Sequence, residues 1–134
     1  MQFTAAQRAF LDQPLSAVVA THRADGTTLQ SVVWYVPDGD TIWFSTGPAS
    51  AKIKQLQRDP RISVLILSPD GGKYLEVEGT AIITVDVDTT ERLELWRRYR
   101  GEEAAQAIAA HPLPGPNARV RVHPTRVFAY NIAE

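Results

Sequence analysis

The chain has no cysteine, which excludes a disulfide framework, a thiolate zinc site and a thiol nucleophile. It has no charge imbalance either: 14 lysines and arginines stand against 15 aspartates and glutamates in 134 residues. A generic nucleic-acid binder would show a basic excess, so no nucleic-acid partner is expected. No apolar run approaches the ~20 residues that span a bilayer. The opening Met1-Gln2-Phe3-Thr4-Ala5-Ala6-Gln7 has no basic segment leading into an apolar one, so no secretory signal is expected. Glycine-rich Rossmann and Walker motifs are missing, as are a nucleophile elbow and the ordered partners of a triad. His22, His111 and His123 lack metal-ligand spacing. What remains is the expectation of a single domain, residues 1–134, cytoplasmic, with no membrane partner, no metal and no catalytic side chain of its own.

What is present reads as alternating strands and short helices. Thr4 and Gln7 have the capping-box spacing, which predicts a helix to about Asp12, ended by Pro14. Ser16 to Arg23 reads as a buried strand, Asp25-Gly26 as a hairpin turn, and Thr28 to Val36 as the return strand. Thr41 to Ser45, Arg61 to Ser68 and Tyr74 to Val85 are further strands, and Gly79 suits a bulge or bend. Helical patterning covers Ser50 to Arg58, Asp88 to Arg100 and Glu102 to Ala110. Leu93, Trp96 and Arg100 share one face of the second of these, with Leu95 and Tyr99 beside them, and Trp96 and Tyr99 read as core or dimer contacts. Pro112, Pro114 and Pro116 make a stiff connection, and Ala118 to Tyr130, interrupted at His123-Pro124, reads as two short final strands. Short turns favour antiparallel pairing. The expected fold is mainly β: a six-stranded antiparallel split barrel with flanking short helices, closed so that no edge is exposed.

One segment carries chemistry. Ser45-Thr46-Gly47-Pro48-Ala49-Ser50 leads from the strand Ile42-Trp43-Phe44 into a helix that begins with Ala51-Lys52-Ile53-Lys54. A helix N-terminus offers unpaired N–H groups and the positive end of the dipole. Cations there are unfavourable by a few tenths to ~1 kcal/mol unless an anion joins them. Lys52 and Lys54 therefore read either as part of a phosphate socket or as solvated helix-surface charges. The alternating Glu76 and Glu78 read as surface or cross-strand pairs rather than an acid–base couple.

The order of these elements, the Gln30-Ser31-Val32-Val33-Trp34-Tyr35 run, the Trp43-Phe44-Ser45-Thr46 strand, the lysine helix with Arg58-Asp59-Pro60-Arg61, and Glu78-Gly79-Thr80 resemble the flavin-binding split-barrel superfamily named for pyridoxamine 5′-phosphate oxidase. Within it the chain is similar to the small branch that uses the deazaflavin coenzyme F420 or FMN. The resemblance implies a homodimer with cofactors in grooves between subunits. It implies that Lys52 and Lys54 hold the phosphate, that Ser45 and Thr46 lie by the phosphate and ribityl chain, and that Gln30, Ser31, Val32, Val33 and Trp34 line the isoalloxazine ring. Ala51 stands where the vitamin-oxidising members carry an arginine, and their long C-terminal substrate-binding portion is missing. Both departures point away from pyridoxamine phosphate oxidation. The expected function is hydride transfer from reduced coenzyme F420 to an electron-poor or conjugated small molecule, with Arg58 and Arg61 helping to hold the oligoglutamate tail. The alternatives are an FMN-dependent oxidoreductase and a protein that only binds the coenzyme. In each, the cofactor does the chemistry and the protein supplies position and field.

Overall fold

Strands with alternating burial build the protein. In β1 (Ser16–His22) and β5 (Arg61–Leu67) every second residue is buried, so Ala17, Val19, Ile62, Val64 and Ile66 form one wall of the core. The computed structural model describes residues 2–87, 90–111 and 117–133. The remaining strands are β2 (Thr28–Val33), β3 (Tyr35–Asp38), β4 (Thr41–Thr46), β6 (Tyr74–Val87) and β7 (Asn117–Tyr130). The helices are α1 (Ala5–Leu11), α2 (Ala51–Arg58), α3 (Thr90–Arg100) and α4 (Glu102–Ala110). The expected helix start at Asp88 and the connection through Pro112, Pro114 and Pro116 lie outside the described residues.

All seven strands join one antiparallel sheet in the order β2-β1-β5-β6-β7-β4-β3. Its two outermost strands, β2 and β3, are consecutive in the chain and separated only by Trp34. The sheet therefore curls so that its two edges approach each other at that residue, a split barrel with short flanking helices. The expected closure without edges is corrected, since β2 pairs with β1 and β3 with β4 but not with each other. The expected count of six strands is corrected to seven at this point. The return strand Thr28 to Val36 breaks at Trp34 because its first half pairs with β1 and its second half with β4. The expected pair of final strands is corrected in the opposite sense. β7 is one 14-residue strand, paired first with β4 and along its length with β6. His123-Pro124 does not end it. Glu78 faces Arg126 while Gly79 faces Pro124, so Thr125 is an extra residue that takes up the irregularity as a bulge.

Local chemistry explains the entries and exits. Thr4 and Gln7 close both arms of the capping box on α1. Gly26 and Gly39 take positive φ in the two hairpin turns. At the barrel split, the Tyr99 hydroxyl accepts from the Tyr35 amide (3.2 Å) and donates to the Leu15 carbonyl (2.6 Å), which satisfies a backbone donor that the strand break would otherwise orphan. The Tyr35 hydroxyl reaches the carbonyls of Leu11 and Gln13 (2.9 Å each). Arg98 donates to the same two carbonyls at 2.8 Å and lies over the Tyr35 and Tyr99 rings. This cluster fastens α3 to the end of α1.

Burial pushes the Tyr35 phenol well above its usual value and raises Tyr99 as well. An unfolded tyrosine ionises near pH ~10, so the stability these neutral phenols confer is complete below that pH. It drains away as pH rises from there towards the folded-state value. Denaturant melts should show the midpoint falling above pH ~10, and less steeply in Tyr35→Phe, which costs ~1 kcal/mol at neutral pH. Equal alkaline slopes in the two proteins would remove Tyr35 as the cause.

Candidate functional site

At the barrel split, β2, β4, α2, α3 and the start of β7 surround a cleft of about 440 Å³. Its walls are of two kinds. Val32, Val33, Trp34, Leu95 and Trp96 make an apolar side, whereas Ser45, Thr46, Gly47, Lys52, Arg92 and Asn117 make a polar, cationic one.

The polar side is held by α2. Ile53 and Leu56 bury one face of this helix, and the Thr21 hydroxyl, fully buried on β1, donates to Gln55 Oε1 at 2.6 Å. The Ser50 side chain caps the N-terminus by accepting from the Ile53 amide. The amides of Ala51 and Lys52 have no acceptor among the described residues, and Lys52 has no acidic partner there. Two cations, two open amides and the Ser45 hydroxyl at the strand end make this side rich in donors.

The opposite wall comes from α3. Leu95 packs against Val36 and Trp43, with Trp34 and Tyr99 beside them. Trp34 stacks on Tyr99 (centroids 4.8 Å apart, planes 5° apart) and meets the edge of Trp96 at 5.2 Å. Both Trp34 and Trp96 line the cleft. The stripe that faces the barrel is thus Arg92, Leu95, Trp96 and Tyr99, at helical spacing. The expected stripe of Leu93, Trp96 and Arg100 is shifted by a fraction of a turn, and Trp96 is a cleft wall as well as a packing residue. Two polar links pin the start of α3: Glu91 pairs with Arg119 of β7, and Arg92 donates to Asn117 Oδ1 at 3.1 Å.

Of the residues expected from sequence, Val32, Val33, Trp34, Ser45, Thr46 and Lys52 line this cleft. The others lie elsewhere. Ser31 is on the inner face of β2, opposite Val19, with its buried hydroxyl unpartnered. Gln30 is exposed on the outer face. Ala51 and Lys54 are exposed on the first turn of α2. Arg58 ends that helix, about 9 Å along its axis from Lys52, and donates to the His22 carbonyl. Arg61 pairs with Asp59, whose carboxyl it holds well below the usual range. Arg92, Leu95 and Asn117 were not foreseen. Arg92 was legible as the residue one turn before Leu95 and Trp96, but nothing near Asn117 in sequence marks it.

An open barrel of this topology, with a lysine-bearing helix start beside an aromatic wall, has the architecture of split barrels that take flavin-type cofactors. The chain belongs to the pyridoxamine 5′-phosphate oxidase family, whose sequence profile matches residues 3–131. Among solved structures it is similar to an F420 reductase, with 26% identity over 90% of this chain and 94% of that one and a TM-score of 0.73. A conserved hypothetical protein from Mycobacterium tuberculosis is likewise 26% identical, over 96% of this chain and 84% of the other, with a TM-score of 0.74. A pyridoxamine 5′-phosphate oxidase-related, FMN-binding protein from Nostoc punctiforme shares the fold at 15% identity and a TM-score of 0.61, over 85% and 72% of the two chains. The donor set fits the group this family implies. A phosphate ester offers only acceptors in its ionised form, and a flat ring system meets apolar and aromatic walls. Among the described residues no helix is long and apolar enough to cross a membrane.

Proposed function

We propose that this protein is a dimeric oxidoreductase that uses coenzyme F420 to reduce an electron-poor or conjugated small molecule. The observation that carries the reading is the cleft itself, which joins a donor-rich, cationic pole to a wall of two tryptophans. Lys52, the open α2 amides and Ser45 hold the phosphate, and Val32, Val33 and Trp34 bound the ring. Trp34 offers the ring its edge, since Tyr99 stacks on it and the Arg100 guanidinium lies 5.2 Å from the centre of the same ring. When bound and reduced, the deazaflavin supplies a hydride; the side chains orient it and keep water from the apolar side. The likeness to the F420 reductase supports this choice of coenzyme.

FMN is the second reading, and one observation favours it. Arg58 and Arg61 have local partners, His22 carbonyl and Asp59, which leaves Lys54 as the cation best placed for an oligoglutamate tail. Such an exposed contact is worth ~0.2–1 kcal/mol, up to about fivefold in affinity, and is screened over ~8 Å at physiological salt. F420 should therefore bind a few times more tightly than FMN at low salt, with the gap closing at high salt. Tighter FMN binding, or a preference indifferent to salt, selects FMN. Oxidation of the reduced coenzyme by a quinone then distinguishes an enzyme from a protein that only carries it.

The dimer is supported by a row on the outer face that is apolar except for Glu76. The register aligns Val32, Val18, Leu65, Glu76 and Phe128 on five adjacent strands. Val32 is 69% and Phe128 55% exposed, and the stacked Tyr74–Tyr130 pair lies alongside. Surface of this kind marks an interface, and Val32 also lines the cleft, so the partner subunit borders the cofactor. Light scattering should give a dimer at micromolar concentration; a monomer that still binds cofactor would sink this part of the proposal.

A further inference from the structure

We infer that Asn117 is a positioning residue that fixes the Ser45 hydroxyl as a donor to a cofactor phosphate oxygen. The inference rests on the cofactor reading above and extends it to a selectivity for the phosphorylated form.

The argument follows donors and acceptors. Asn117 opens β7, is 2% exposed and sits between α3 and β4. Its Oδ1 accepts from Arg92 Nη2 at 3.1 Å. A guanidinium has donors and no acceptor, so the amide oxygen must face Arg92 and the amide nitrogen must face the other way. That nitrogen donates to Ser45 Oγ. A hydroxyl whose lone pair is taken in this manner keeps its proton to give, and Ser45 has no acceptor for it among the described residues. Ser45 borders the cleft beside Gly47 and Lys52. The neighbouring hydroxyl behaves differently: Thr46 donates to Ser50 Oγ at 3.3 Å, so its proton is already committed.

The geometry that enforces this order is stiff. Ser45 pairs with Arg119 and Thr46 with Ala118 in the β4–β7 ladder. The Glu91–Arg119 pair holds the first turn of α3 against the same strand. Arg92 and Ser45 are thus kept on opposite sides of one buried amide. The outcome is an anion pole where Lys52, the open α2 amides and the Ser45 hydroxyl all present donors, which favours an ionised phosphate over a terminal hydroxyl.

Asn117→Asp inverts the arrangement with little change of shape. The carboxylate still accepts from Arg92, but it can only accept from Ser45 as well. The serine proton turns away from the cleft, and a negative charge arrives behind it. The experiment compares ligands that differ only in the phosphate-bearing chain: FMN against riboflavin, and F420 against its unphosphorylated deazariboflavin core. In Asn117→Asp the affinity for FMN and F420 should fall about tenfold or more, while riboflavin and the deazariboflavin core stay within about twofold. Ser45→Ala, which leaves the buried amide alone, should lose about three- to tenfold for the phosphorylated ligands only. Ser45→Thr should retain most of the affinity. The double variant Ser45→Ala, Asn117→Asp should bind FMN no more weakly than Asn117→Asp. Equal losses for phosphorylated and unphosphorylated ligands would make Asn117 a structural residue and overturn the inference, as would unchanged FMN binding in Ser45→Ala. A wild-type protein that binds none of the four ligands overturns the cofactor reading itself, a result distinct from either.

Discussion

Lys52→Glu is expected to weaken binding of both FMN and F420 by about a hundredfold while leaving the fold intact. The lost charge-assisted contact accounts for roughly 1.5–3 kcal/mol, and the introduced carboxylate adds repulsion against the phosphate. A total near ~3 kcal/mol corresponds to about 150-fold. The effect on stability has the opposite sign. Lys52 stands at the N-terminal turn of α2 with no acidic partner among the described residues, a position where a cation opposes the helix dipole and an anion is favoured by ~0.3–1 kcal/mol. The variant should therefore melt at or slightly above the wild-type temperature. This pairing of weaker binding with undiminished stability separates a functional lysine from a structural one. If cofactor titrations of Lys52→Glu and wild type superimpose, the phosphate is held elsewhere.

Gly79→Ala should be the most damaging small substitution in the sheet. A Cβ built at Gly79 would lie 2.4 Å from the His123 carbonyl oxygen and 3.1 Å from a Val122 methyl. The first obstacle is backbone of the adjacent strand, held in the ladder on both sides of the bulge, and cannot swing away as a side-chain tip would. Overpacking of this kind costs ~1–3 kcal/mol, which lowers the melting temperature of a chain of this size by about 3–15 °C. Gly47→Ala is the control: a Cβ there meets nothing within 4 Å and φ is not positive, so its melting temperature should be unchanged or slightly higher. A Gly79→Ala protein as stable as wild type would mean that β6 and β7 separate at the bulge without cost.

How much of this was legible in sequence depended on the distance over which each feature is determined. The capping box of α1, the hairpins at Gly26 and Gly39 and the Gly79 irregularity are set within a few residues, and turn chemistry announces them. The break at Trp34 is not. Val33 and Tyr35 read as one β-branched and aromatic run, and only their partners, Ala17 on one side and Phe44 on the other, divide it. Likewise Lys52 and the strand end at Ser45-Thr46 are adjacent in sequence and were visible together. Asn117 reaches Ser45 across 72 residues, so no local pattern could pair them. Arg92 lay between these cases, since its helical spacing from Leu95 and Trp96 is plain but the face that turns inward is chosen by Val36 and Trp43. Arg58 shows the converse. Proximity in sequence to Lys52 suggested a shared anion, yet the length of α2 carries it to the far end, against the His22 carbonyl.

The position of β7 has a consequence for how the site comes into being. This strand is last in the chain but central in the sheet, between β6 and β4, and it supplies Asn117 to the cleft. Contacts at such separation form late, after the loop-closure entropy has been met. A growing chain can complete β1 to β6 with the lysine helix in place and still lack the wall that makes a cofactor pocket. A ligand that recognises the finished cleft cannot then template the early steps; it acts by mass action on the completed sheet, adding RT ln(1 + [L]/Kd) to its stability. For the proposed coenzyme the same linkage predicts a thermal midpoint that rises with added FMN or F420, which a melt with and without ligand checks.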